Sequence, residues 1–135
     1  MSNFYPSTLH LWNMSFRSAE HAYQYFKASL MGDMEAASEI MNTYSPFMVK
    51  NIGGRVTLDD SWDKRRENVM MYILEAKIQQ CDEFSTELIS TEGRVLIEDT
   101  ANEYWGRGKY GQGQNVLGKL LMRIRNQLCE ELNSH

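Results

Sequence analysis

Between Trp62 and Gln80 the apolar residues Val69, Met70, Ile73, Leu74 and Ile78 return at helical intervals, with Lys77 intruding on the stripe. Asp60 or Ser61 opens this helix, the longest in the chain. Cap signals then divide the remainder. Ser18 is an expected N-cap, with Glu20 in the first turn, where a carboxylate suits the helix dipole. That helix runs to about Met31 and stops at Gly32. A short helix over Met34–Met41 follows. Ser45 caps the next, with Pro46 at its first position and Gly53-Gly54 at its end. Asp82–Thr91 is a further short helix closed by Gly93, and Asn115–Leu132 is the last, with Leu117, Leu120, Leu121, Ile124 and Leu128 as its buried stripe. Strand candidates are few: Leu9–Trp12, within an irregular lead-in over Met1–Phe16, and Val95–Glu98. The expected fold is mainly α (α+β), about six helices with a few short strands.

A chain of 135 residues has room for one domain, expected to span 1–135. Aromatic residues at 11% rule out disorder as the main state. No stretch approaches the ~20 apolar residues of a membrane-crossing helix. The net charge of −4 argues against a protein that coats nucleic acid, yet leaves room for a basic pocket for one phosphate. Met1–Tyr5 has no basic region of a secretory signal, so a cytoplasmic location is expected. Cys81 and Cys129 form no CxxC, and His10, His21 and His135 do not complete a zinc set. The expectation is two buried thiols in a reducing cytosol, with no metal and no cofactor. GxSxG and HExxH are absent.

Three constellations carry chemical interest. Glu20, Gln24 and Lys27 project from one helical face, with Tyr25, Ala28 and Ala22 turned away from it. On spacing alone this is a solvated stripe. Read functionally, a carboxylate and an amine converge on one substrate, the amine to attack an anomeric carbon and the carboxylate to move protons. The second constellation is the glycine-rich loop Asn102–Gln114. It leads into a helix N-terminus that favours an anion, with Arg107 and Lys109 for phosphate and Trp105 to stack on a base or ribose. Alone it also reads as a flexible surface loop. The third is Trp62 with Lys64, Arg65 and Arg66, cations at the unfavourable end of a helix, which read either as a solvated basic patch or as facing an acidic group from protein or ligand. Lys77 either snorkels out of its apolar stripe or pairs with a buried carboxylate.

Three segments together resemble the NADAR or YbiA-like domains. Ser2-Asn3-Phe4-Tyr5-Pro6-Ser7, then Ser18-Ala19-Glu20-His21-Ala22-Tyr23-Gln24 and Lys27, is similar to the family's SNFYPS and [ST]xEHxYQxxK signatures. Trp62, Arg66, Val69, Met70, Ala76-Lys77 and Gln80 resemble its long-helix pattern. Leu96-Ile97-Glu98, Trp105-Gly106, Gly108 and Gly113–Met122 resemble its LVE, WGxG and GxNxLGxxLM ending. The resemblance implies hydrolysis of the bond between a base or amine and a ribose. Substrates implied are phosphorylated riboflavin-pathway intermediates or ADP-ribose on guanine, including ADP-ribosylated nucleic acid. By position, Glu20 and Lys27 would be the acid/base and the covalent or electrostatic catalyst, with Trp105 stacking. Asn3, Phe4, His21, Gln24, Trp62, Arg66, Lys77, Glu98 and Asn115 would line or support the pocket, with Glu103, Gly106, Arg107 and Gly108 contributed by the loop. Two departures stand out. Family members usually carry an additional strand before the SNFYPS motif, whereas here Met1 stands immediately before it, so the expectation is a sheet edge lost or supplied by a partner. Arg107 stands where some members have Asp, with Glu103 the nearby acid, and an added cation suits a phosphate-bearing substrate.

The expectation is therefore an N-glycoside hydrolase acting on a phosphorylated ribosyl or ADP-ribosyl molecule, without membrane association or an obligate protein partner. The competing class is a module that binds ADP-ribose or NAD without cleaving it. Such a module needs the basic and aromatic positions but not the Glu20–Lys27 pair.

Overall fold

The computed structural model describes residues 8–134. Asn3, Phe4 and the Ser2–Ser7 motif lie outside the described residues. In chain order the elements are β1 (Leu9–Leu11), β2 (Met14–Phe16), α1 (Ala19–Leu30), α2 (Met34–Met41), α3 (Pro46–Gly54), α4 (Ser61–Gln80), α5 (Asp82–Ser90) and α6 (Val116–Asn133). Two units are distinguished, one ending at Gln80 and one starting at Cys81. No helix among the described residues is long and apolar enough to cross a membrane.

In the first unit β1 and β2 pair antiparallel, Leu9 opposite Phe16 and Leu11 opposite Met14. The expected Leu9–Trp12 strand ends one residue early because Trp12 and Asn13 make the turn, both at positive φ (50° and 62°). A two-residue hairpin of the I′ kind requires that conformation, which suits Asn and strains Trp. Trp12 is held there by the rings of Phe26 and Tyr72, at centroid distances of 4.0 and 5.9 Å. The helices begin where their caps predict. The Ser18 side chain accepts from the His21 N–H, Asp33 from Ala36 and Ser45 from Met48. Ala28, Ala37, Ile40, Val49, Ile52 and Val56 form the core that joins α1, α2 and α3. On α4, Met70, Ile73 and Leu74 are buried as their spacing predicts. Lys77 is buried with them at 1% exposure, so it does not snorkel to water.

In the second unit α5 and α6 flank a long segment without strands. Val95–Glu98, expected as a strand, has no ladder partner among the described residues. Its backbone is satisfied by a side chain. Asn115 Nδ2 donates to the Leu96 carbonyl and its Oδ1 accepts from the Glu98 N–H, both at 2.9 Å. One carboxamide thus makes the pair of bonds a neighbouring strand would make. Asn115 adopts the left-handed conformation at φ 54°, which Asn tolerates better than most residues. Gly118 gives it room, since a Cβ there would meet the Asn115 carboxamide and the Leu96 carbonyl. Arg125, also buried, donates to the carbonyls of Thr91 and Arg94 at 3.0 and 2.7 Å, tying the same segment to α6. Along α6, Leu117, Leu120, Leu121 and Ile124 are buried, while Leu128 is half-buried and Cys129 takes the covered position. Both cysteines are free, but only Cys129 is buried; Cys81 is half-buried, contrary to expectation.

Replacing Asn115 with Ala should lower stability by roughly 2 kcal/mol, because two backbone groups lose their partner and the left-handed residue loses its tolerance. Urea unfolding checks this, and an unchanged midpoint would mean that the carboxamide does not hold the segment.

Candidate functional site

The polar face of α1 is not solvated. Glu20 is 7% and Gln24 5% exposed. Gln24 Nε2 donates to Glu20 Oε1 at 2.8 Å. Gly53 of α3 lies against the other end of this carboxamide, so close that a Cβ there would fall 1.8 Å from Gln24 Oε1. Both faces of the helix are therefore covered, since Ala22 and Ala28 on the far side are buried as well. Burial raises the pKa of Glu20 above the usual carboxylate value, opposed by the Gln24 hydrogen bond and by the charges of Lys50 and Lys27. Burial lowers the pKa of Lys27, opposed by Glu20. Lys27 is half-buried, its Nζ 6.0 Å from the centre of the Tyr23 ring.

Several other candidates have protein partners of their own. The His21 Nε2–H donates to the Thr43 carbonyl at 2.9 Å. Its Nδ1 therefore accepts from the Ser18 hydroxyl at 2.7 Å, while the Ser18 oxygen accepts from the His21 backbone N–H. Burial disfavours the charged imidazole, and the ring's contacts close the start of α1. Trp62 is 2% exposed, its ring 5.6 Å from that of Tyr23. Arg66 lies 3.6 Å from Asp63, and Asp59, whose pKa is held down chiefly by donors from Ser61, feels the charge of Arg65. Acidic residues of the chain itself thus face the cations at the start of α4. A cavity of about 250 Å³ lined by Thr8, Ser15, Phe16, Arg17, His21 and Met41 opens beside β2, and neither Glu20 nor Lys27 lines it.

In the second unit the glycine-rich loop is a hydrogen-bonded structure rather than a loose surface loop. Asn102 Oδ1 accepts from the N–H groups of Tyr104 and Trp105, each at 2.9 Å. Gly106 N–H donates to Asn102, Arg107 N–H to Glu98 and Gly108 N–H to Thr100. The amides opening α6, Asn115, Val116 and Leu117, donate to the carbonyls of Gly106, Tyr104 and Trp105 at 2.9, 2.9 and 3.0 Å. This corrects the expectation of anion-binding amides there: those three are already taken. Gly106 is required by packing, because a Cβ would collide with Thr100 and the Glu98 carbonyl, and Gly108 by its φ of +75°. Trp105 is half-buried with its ring 4.7 Å from that of Tyr104. Arg107 pairs with Asp99 at 3.5 Å, while Glu103 is exposed and its carbonyl accepts from Gln114.

The structure thus brings Glu20, Gln24 and Lys27 together on α1, and Glu98, Trp105, Gly106, Arg107, Gly108 and Asn115 together around the loop. Two residues on α3 escaped the sequence reading. Lys50 acts on Glu20, and Gly53 packs on Gln24. Both contacts are tertiary; α3 does end at Gly53-Gly54 as its glycines predict, but nothing local says that Gly53 faces Gln24.

Residues 1–129 match the NADAR domain. The chain is 35% identical to N-glycosidase YbiA of Escherichia coli (strain K12) over 133 residues, covering 96% of this chain and 81% of that protein. It is 29% identical to a riboflavin biosynthesis protein of Vibrio vulnificus (strain YJ016), covering 96% of this chain and 35% of that longer protein. The NMR structure of E. coli YbiA superposes with a TM-score of 0.84 at 34% identity, covering 99% of this chain and 80% of that one. The chain belongs to the NADAR family.

The His21 geometry sets a pH dependence. Burial lowers the His21 pKa below its usual value, so the unfolded chain binds the proton first as pH falls. The stability that the neutral ring contributes is complete above about pH 6.5 and is lost as pH falls through the native-state value. The stability advantage of the parent over His21→Gln should therefore shrink from pH 7 toward about pH 5. Urea unfolding across that range checks it, and a constant advantage would mean that the ring is not held neutral.

Proposed function

We propose that this chain cleaves the bond between a base or amine nitrogen and C1′ of a ribose in a phosphorylated ribosyl or ADP-ribosyl substrate. It is an enzyme of the N-glycosidase class, a reading supported by its identity to N-glycosidase YbiA over nearly its whole length. The observation that carries the proposal is geometric: one face of α1 holds Glu20 and Gln24 out of water, hydrogen-bonded to each other, with Lys27 half-buried on the same face. Burial pushes both Glu20 and Lys27 toward their uncharged forms, one a proton donor and the other a free amine.

The proposed reaction follows from that pair. Glu20 gives its proton to the leaving nitrogen as the nitrogen–C1′ bond breaks. The Lys27 amine bonds to C1′ with its lone pair and returns a proton to the Glu20 carboxylate. The ribose ring opens as the remaining Nζ proton passes to O4′, leaving an imine between Nζ and C1′. Water adds to C1′, and the free sugar departs as the amine is restored. Phosphate recognition falls to side chains, and in the unit that holds Glu20 and Lys27 the proposed donor is Arg66.

Incubation with ADP-ribosylated guanosine, a riboflavin-pathway phosphate and NAD, followed by mass spectrometry, should reveal free base from at least one of the first two. Base released equally well from a dephosphorylated substrate would remove phosphate from the proposal. Glu20→Gln keeps the size of the side chain and removes its proton, so turnover should fall roughly 10²-fold or more with the fold intact. Near-normal turnover by that variant would discard the acid role.

A further inference from the structure

We infer that Gly53 and Gln24 are positioning residues for the Glu20 carboxyl: the missing side chain at 53 makes the space into which the Gln24 carboxamide fits, and the carboxamide holds Glu20 Oε1. This deepens the proposed function and rests on Glu20 being the acid of that reaction.

Gly53 is buried in the last turn of α3, where glycine commonly closes a helix. Its φ is not positive, so no unusual backbone conformation requires it. Space does. A Cβ would stand 1.8 Å from Gln24 Oε1, 2.4 Å from Cδ and 3.0 Å from Cγ. Its neighbour Gly54 has nothing within 4 Å of the same construction. Two adjacent glycines on one helix are therefore unequal, one filled by Gln24 and one open.

The Gln24 carboxamide is divided in the same way. Its Nε2 donates to Glu20 Oε1 at 2.8 Å, while its Oε1 is buried without a hydrogen-bond partner and is held by packing against Gly53. A buried acceptor left unpaired is unfavourable. It is tolerated because this orientation is the one that turns the donor toward Glu20. With Oε1 of Glu20 fixed as an acceptor, Oε2 is the oxygen that carries the transferable proton. The charges acting on this carboxyl are Lys27 on α1 and Lys50 on α3. The Gln24 bond stabilises the carboxylate, so displacing it should raise the proton affinity of Glu20 and move the alkaline limb of the activity profile upward.

The test compares Gly53→Ala, Gly54→Ala and Gln24→Met with the parent. Glu20 is titrated by carboxyl ¹³C NMR without substrate, its signal assigned by its loss in Glu20→Gln, and kcat/KM is measured against pH. Gly53→Ala and Gln24→Met should each raise the proton affinity of Glu20 roughly tenfold, shift the alkaline limb upward to match, and lower kcat with little change in KM. Gly54→Ala should leave the titration and kcat as in the parent. Should Gly53→Ala fail to fold, Gln24→Met decides by the same titration. A parental Glu20 titration in both Gly53→Ala and Gln24→Met overturns the inference, as does a raised KM with no shift in titration for Gln24→Met, which would make Gln24 a substrate contact. Because the titration needs no turnover, it stands apart from the proposed reaction, which Glu20→Gln tests separately.

Discussion

The removal of the Glu20 carboxyl from water is the constraint on which the chemistry of α1 depends. An ionised carboxylate is costly to bury, and the protein answers in two ways. Its pKa rises, and its Oε1 receives a donor from Gln24. The same burial works in the opposite direction on Lys27, two turns further along the helix. A surface helix with this spacing would present a solvated Glu–Gln–Lys stripe. Here burial instead shifts both groups toward their uncharged forms.

Much of the fold was legible because its signals are local. Ser18, Ser45 and Pro46 mark helix starts through contacts within one turn, and Met70, Ile73 and Leu74 mark a buried stripe through spacing alone. Val95–Glu98 misled because its composition suits a strand while its partner is the side chain of Asn115, some 17 residues beyond Glu98, which no periodicity encodes. The β1–β2 hairpin was half-read for a related reason. Trp12 is an unfavourable residue for its turn, and it is tolerated through rings brought from α1 and α4.

The candidate site divides along the same line. That Glu20, Gln24 and Lys27 share a face follows from helical geometry; that the face is buried does not, because the cover comes from α3. Lys50 and Gly53 were invisible for that reason. The glycine-rich loop shows the converse error. Its composition suggested free amides, yet Asn115, Val116 and Leu117 donate to carbonyls that the loop itself folds back to them. Some residues expected to meet substrate, His21 and Asn115 among them, have their polar atoms engaged in holding the scaffold.

The central claim is that burial delivers Lys27 as an amine able to bond C1′ while Glu20 supplies the proton to the leaving base. Borohydride trapping during turnover, followed by peptide mass spectrometry, tests it most directly. The account predicts a reduced sugar adduct on Lys27 that accumulates as base is released and activity is lost. Continued base release in the presence of borohydride, with no adduct on Lys27, would contradict it.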